Sequence, residues 1–224
     1  MNSQQAADLV YNTYAEHADA HLADPMQKYM KDLFPFFGIK KPHRAVLDKN
    51  LLATIIKDDE IKPFEFIKLL WGRAERELHY FAIQYALKKK LYLQKEALDL
   101  FEHMILYHSW WDSVDTIADH LVGNYMLAFP ELKEKEIMRF VNHPNMWMNR
   151  TAIIFQLKYK EKTDTDLLLA AILTHLDSKE FFIRKAQGWA LRQYAKTDPQ
   201  FVVQTVKAHR FSGLTVREAL KHQN

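Results

Sequence analysis

Trp111 and Asp115 stand four residues apart in the run Ser109-Trp110-Trp111-Asp112-Ser113-Val114-Asp115, a spacing that puts both side chains on one face of a helix. With Val114 at zero on a wheel of about 100° per residue, the apolar stripe Val114, Ile117, Ala118, Leu121, Val122, Tyr125 and Met126 centres at about 20°, Trp111 at about 60°, Asp115 at about 100° and Asp112 at about 160°. A carboxylate beside an indole at the edge of a buried stripe is partly desolvated yet within reach of a ligand. That suits the stabilisation of a developing cation. The same pattern has a purely structural reading, in which Trp110 and Trp111 are core and Asp115 pairs with an arginine of the next repeat.

Arg150, Ile154 and Lys158 recur at intervals of four, and Lys162 continues their direction. A helix over 145–160 would set them in a row that follows a phosphate backbone or simply faces solvent. Phe181, Phe182, Arg184, Lys185, Trp189 and Arg192 interleave rings with cations, as stacking platforms in nucleic-acid proteins do, although core packing claims some of these rings. Among the 11 histidines only His17 and His21 lie at i,i+4, and no His-Glu-x-x-His pattern accompanies them, so no metal site and no cofactor are expected. The absence of cysteine excludes disulfides, thiol nucleophiles and Cys-ligated zinc or iron–sulfur sites. There is no phosphate-binding glycine loop and no nucleophile elbow, which removes nucleotide hydrolysis and α/β-hydrolase chemistry.

The elements that must position these residues are helical. Five glycines and seven prolines in 224 residues are too few to turn a sandwich or barrel of many short strands, and the apolar spacing predicts helices over 4–18, 25–34, 43–57, 63–70, 74–89, 94–107, 131–141, 145–160 and 164–176. Ser109 and Asp112 read as a capping box ahead of the Val114 helix, and Asp177-Ser178-Lys179-Glu180 as another ahead of Phe181 to Ala195. Thr197-Asp198-Pro199 closes that segment before a last helix. Helix pairs recur every 35–40 residues or so, the period of stacked two-helix repeats. Arg76, Asp115, Arg150 and Arg184 occupy one recurring slot, with arginine in three repeats and a carboxylate in the fourth. An array of this kind curves, and its second helices line a concave face.

Composition agrees with a folded chain, at 48% hydrophobic and 26% charged. No apolar run approaches the roughly 20 residues of a membrane span, and the first residues carry no basic-then-apolar signal. A soluble, cytoplasmic protein without membrane contact is expected. The net charge of +3 conceals an asymmetry, with 15 basic and 19 acidic residues in 1–132 against 16 and nine in 133–224. The basic half is either one wall of a nucleic-acid groove or a solvated face.

Four blocks resemble the AlkD-like bacterial DNA alkylation repair enzymes: Met26 to Arg44, Ser109 to Ile117, Trp147 to Lys160 and Ser178 to Pro199. SWWDSVD together with KEFFIRKAxGWALRxYAK is the specific pairing. The resemblance implies an all-α fold, a superhelical array of HEAT-like antiparallel helix pairs with a concave DNA-binding face, forming one glycosylase domain over 1–224. It implies a monofunctional hydrolase that removes alkylated purines from double-stranded DNA. Asp115, Trp111 and Trp189 fall on the catalytic positions, and Tyr29, Arg150, Lys158, Phe181, Phe182 and Arg192 on DNA contacts. Met148, Asn149 and Gln187 depart from the pattern and bear on substrate preference. A monomer is expected. The alternative is a non-catalytic repeat module that binds DNA or protein.

Overall fold

The computed structural model describes residues 1–221 and is helical throughout, with no β-strand among them. No helix among these residues is long and apolar enough to cross a membrane. The chain divides into two compact units, Met1–Ala97 and Leu98–Asn224.

The first unit holds α1 (Ser3–Glu16), α2 (Ala20–Tyr29), α3 (Lys41–Ile55), α4 (Pro63–Trp71) and α5 (Arg76–Lys88). Asn2 and Gln5 form a reciprocal capping box that starts α1. Ala6, Ala7, Val10 and Tyr14 then bury one stripe of that helix, and α1 packs on α4, which in turn packs on α5. The second helix was expected over 25–34 but spans Ala20–Tyr29. Asp19 caps it through the backbone N–H groups of His21 and Leu22, so that Pro25 lies inside the helix and not at its start. Lys31 and Asp32 then take positive φ values of 61° and 57°, which ends the helical path before 34. The buried Glu77 of α5 fixes the loop that follows, accepting the N–H groups of Phe37, Gly38 and Ile39 at 3.0–3.1 Å.

The second unit takes in nearly all of α6 (Ala97–Leu106), then α7 (Trp111–Thr116), a π-helical stretch (Ile117–Val122), α8 (Gly123–Ala128), α9 (Pro130–Val141), α10 (Met146–Ile154), α11 (Thr165–Thr174), α12 (Phe181–Tyr194), α13 (Pro199–Ala208) and α14 (Gly213–Ala219). The stripe read from Val114 to Met126 is buried in full, every member at 1% exposure or less. The helix α10 lies at the centre, against α7, the π stretch, α9, α11 and α12, and everything from Trp147 to Ile154 is buried. It stops at Ile154, short of the expected 160. Gln156 leaves the helix to exchange two bonds with the Asp164 backbone, at 2.8 and 3.1 Å, and the Tyr159 hydroxyl donates to the Gly123 carbonyl.

Neither Ser109 nor Ser178 makes the expected capping box. Ser109 donates to the Ile105 carbonyl, closing the preceding helix, and α7 begins at Trp111 without a side-chain cap. Glu180 takes the cap position of α12, with the Ser178 hydroxyl oxygen accepting the Glu180 N–H. Asp198 caps α13 by accepting the Phe201 N–H, with Pro199 in its first turn. A further helix, α14, follows it and packs closely on α12.

That packing runs through Gly188. A Cβ there would lie 2.4 Å from Glu218 Cβ and 2.7 Å from the Thr215 carbonyl oxygen. Alanine is the better helix former by about 1 kcal/mol, but neither obstacle is a flexible side-chain end, and overpacking costs about 1–3 kcal/mol. Gly188→Ala is therefore expected to lower Tm, by roughly 5 °C, as read by a thermal melt.

Candidate functional site

The helix α7 carries Trp111 and Asp115 on a partly exposed face, beside Val114, which is buried. On α12, Phe182, Lys185, Trp189 and Arg192 follow one another at intervals of three and four. All are partly exposed, while Ile183, Ala186, Gln187, Ala190 and Leu191 of the same helix are buried. Between these two faces stands α10, and its Arg150 joins them. Arg150 Nε donates to Asp115 Oδ1 at 2.7 Å, Nη2 to Oδ2 at 2.8 Å, and Nη1 to the Phe182 carbonyl at 2.5 Å. Its side chain is 6% exposed, so the guanidinium is spent inside the protein. The slot of the repeat is thus filled in a complementary way, with the arginine of one helix pair meeting the carboxylate of the pair before it.

Burial pushes the Asp115 carboxyl above the ordinary carboxylate value, against the pull of the Arg150 bonds and charge, with Asp119 and Asp112 adding to the rise. This is a desolvated anion held in place by a bidentate fork. It is 16% exposed at the side chain and can meet an approaching cation.

Both tryptophans of the SWW run are partly exposed. Trp110 packs edge-on against Trp147 and Phe182, at centroid distances of 5.8 and 5.2 Å, and Trp147 lies 4.9 Å from Phe182. Phe182 therefore belongs to a packed aromatic cluster, from whose edge Phe181 projects, 57% exposed and 5.3 Å from Phe182. Trp111 and Trp189 stay partly exposed, on α7 and α12 respectively.

Among the remaining cations, Arg192 and Lys185 both bond Glu218 of α14, at 2.5 and 2.7 Å, and these bonds, Lys185 first, hold the Glu218 carboxyl below its usual value. Lys158 lies beyond the end of α10, exposed, with Asp119 Oδ2 at 3.1 Å and His120 within bonding distance. The expected row of Arg150, Ile154 and Lys158 does not form, because the helix ends at Ile154 with both Arg150 and Ile154 buried. Tyr29 ends α2 in the first unit, 68% exposed. It lines an apolar recess of about 340 Å³ with Met26, Phe36, Lys40 and Tyr80.

Asp119, His120 and Glu218 were not among the residues singled out in the sequence. The first had a signal, since Asp115 and Asp119 sit at i,i+4. The third had none, because it meets α12 only through α14. No group of three or more metal-ligating side chains occurs among the described residues.

Residues 10–223 match the family model described as DNA alkylation repair enzyme. A solved structure described as a predicted DNA alkylation repair enzyme from Enterococcus faecalis superposes with a TM-score of 0.85 at 36% identity, covering 92% of this chain and 96% of that one. No curated protein matches the chain.

Removing one partner of a buried pair leaves the other stranded, at a cost of about 3–5 kcal/mol. Arg150→Ala is expected to destabilise the protein by about that amount in urea unfolding. The Asp115→Ala/Arg150→Ala double variant should lose less than the two single losses together, and strict additivity in this cycle would show that the pair is not coupled.

Proposed function

The chain belongs to the DNA alkylation repair enzyme family, and from that premise we propose that it is a monofunctional DNA glycosylase. Its substrates are cationic N-alkylated purines such as 7-methylguanine and 3-methyladenine in double-stranded DNA, and it acts as a single HEAT-like repeat domain in cytoplasmic base excision repair. The observation that carries this reading is the desolvated Asp115 carboxylate, fixed by Arg150 beside the partly exposed Trp111.

An alkylated purine bears a positive charge, so its glycosidic bond already has a good leaving group. When that bond breaks, the electron pair goes to the base and neutralises it, leaving positive charge on the sugar. Asp115 stabilises that charge. It also orients the water whose oxygen bonds to C1′ and whose proton it accepts. Trp111 and Trp189 offer their faces to the sugar and the cationic base. Arg150 acts through Asp115, keeping the carboxylate ionised and aimed. Lys158 and Arg192 take phosphates, and Tyr29, Phe181 and Phe182 contact the duplex. Selectivity comes from the leaving group and not from a base pocket, so bulky cationic adducts are tolerated and neutral hypoxanthine or uracil is poorly released.

The test is release of free base from duplex DNA carrying 7-methylguanine, with EDTA present. Asp115→Asn is expected to cut release by on the order of 10²-fold or more, the cost of losing one preorganised electrostatic group, while DNA binding survives. Only the ionised carboxylate stabilises a cation, and the Asp115 carboxyl lies above its ordinary value. Release should therefore fall as pH drops through that raised value, at a pH where an ordinary aspartate would still be charged. A protein that binds this DNA and the 3-methyladenine equivalent but frees neither base would be a binding module.

A further inference from the structure

One turn beyond Asp115 lies a cluster that the mechanism above does not use in full. Asp119 and His120 sit on the π-helical stretch Ile117–Val122. The Asn124 side chain donates to the His120 carbonyl at 2.6 Å, supplying a bond to a carbonyl in the wider π turn. Lys158 lies 3.1 Å from Asp119 Oδ2 and 3.2 Å from His120 Nδ1, with Nε2 also in bonding range. An ammonium only donates, so in this arrangement the imidazole accepts from Lys158. Asp119 is thereby half used. Its Oδ1 is buried with no hydrogen-bond partner, although His120 Nε2 stands 3.3 Å away. Asp119 is 13% exposed at the side chain, whereas His120 and Lys158 are 41% and 52% exposed, so one recessed carboxylate backs an accessible imidazole and an accessible ammonium.

We propose that Asp119, His120 and Lys158 form a seat for a DNA backbone phosphodiester that takes up one proton as it fills. This rests on the DNA-binding reading above and deepens it. An arriving phosphate, an anionic acceptor stronger than a neutral ring nitrogen, draws the Lys158 ammonium away from His120 and frees the imidazole nitrogen that had accepted from it. A proton from solvent adds to that nitrogen. The imidazolium then donates one N–H toward Asp119 Oδ1, meeting the unsatisfied oxygen, and directs its other N–H and its charge to the phosphate. No covalent bond is made or broken apart from this protonation. The charged groups on the elements packed against the π stretch are Asp112 and Asp115 of α7, Arg150 of α10 and Lys158 beyond its end, while α8 carries none. Arg150 is neutralised by Asp115, so Lys158 and Asp119 dominate what His120 meets.

The experiment is the affinity for a short duplex carrying 7-methylguanine, by fluorescence anisotropy at pH 6 and pH 8 over a series of salt concentrations. It compares the unaltered protein with His120→Gln and Lys158→Met. The unaltered protein should bind about tenfold more tightly at pH 6 than at pH 8, the effect of one charge-assisted hydrogen bond. Most of that gain should vanish in each variant. Each lost phosphate contact lowers the slope of log affinity against log salt by about 0.9, so His120→Gln should show this loss at pH 6 and not at pH 8. Inorganic phosphate at 10-fold excess over the DNA should leave the affinity unchanged if the seat is built for a duplex backbone, and displacement of the DNA would show instead a free-phosphate site. If both variants keep the pH gain and the salt slopes of the unaltered protein, the proposal is overturned while the glycosylase reading stands. If the unaltered protein does not bind the duplex at either pH, both fall.

Discussion

The second unit is organised around one guanidinium. Arg150 is buried, cannot shed its charge and has three donor nitrogens to satisfy. Asp115 of α7 takes two of them and the first turn of α12 takes the third. Three helices far apart in sequence are therefore held at a fixed mutual distance by a planar fork. A bidentate pair fixes orientation as well as distance, so the faces carrying Trp111 on one side and Trp189 on the other inherit their setting from this single residue. The desolvation of Asp115 follows from the same contact. The arginine that keeps the carboxylate ionised is also the reason it can lie so far from water.

Around this pair, buried polar side chains on the second helix of a pair repeatedly hold the end of the first. Asn149 Nδ2 donates to the carbonyls of Phe140, Val141 and His143 at the end of α9. Gln187 Nε2 does the same for Ile172 and His175 at the end of α11, and in the first unit the His79 ring bonds the Arg73 carbonyl just past α4. A helix end leaves carbonyls without partners, and burying them without a donor would be costly. Amides on the neighbouring helix meet that need while fixing how the helices sit. This gives Asn149 and Gln187, departures from the family pattern in the sequence, a structural task.

What the sequence disclosed and what it withheld divide along physical lines. The buried stripe from Val114 to Met126, the helices flanking short turns, and the Asp115–Arg150 register were legible because periodicity and repeat spacing are local properties of the chain. The pairing left open for Asp115, with an arginine of the next helix pair, is the one the structure forms. The early end of α10 was not legible, because it follows from what Gln156 and Tyr159 bond in other segments. Nor was the π stretch, where a wheel of fixed angle slips by the extra residue of each wider turn. The capping boxes failed for a related reason. Serine turns its hydroxyl to whichever backbone group is nearest, and at Ser109 it donates to a carbonyl of the helix just ended.

The basic excess of residues 133–224 also changes meaning once its partners are seen. Arg150 is matched by Asp115, Lys158 by Asp119, and Lys185 with Arg192 share Glu218. Apart from the buried Arg150, these cations are set in place by carboxylates while still partly exposed, so under the proposed function little side-chain entropy remains to be lost when phosphates join them. For the proposed cationic substrate the arrangement also answers a difficulty. A free arginine beside the reacting base would repel it, and at low effective dielectric such a repulsion at a few ångströms amounts to several kcal/mol. With Arg150 neutralised by Asp115, an incoming cation meets a pair of no net charge whose negative end is the accessible one. Under the proposed function, phosphate affinity and tolerance of a cationic base, which pull in opposite directions for any uniformly basic surface, fall to different residues of the same unit.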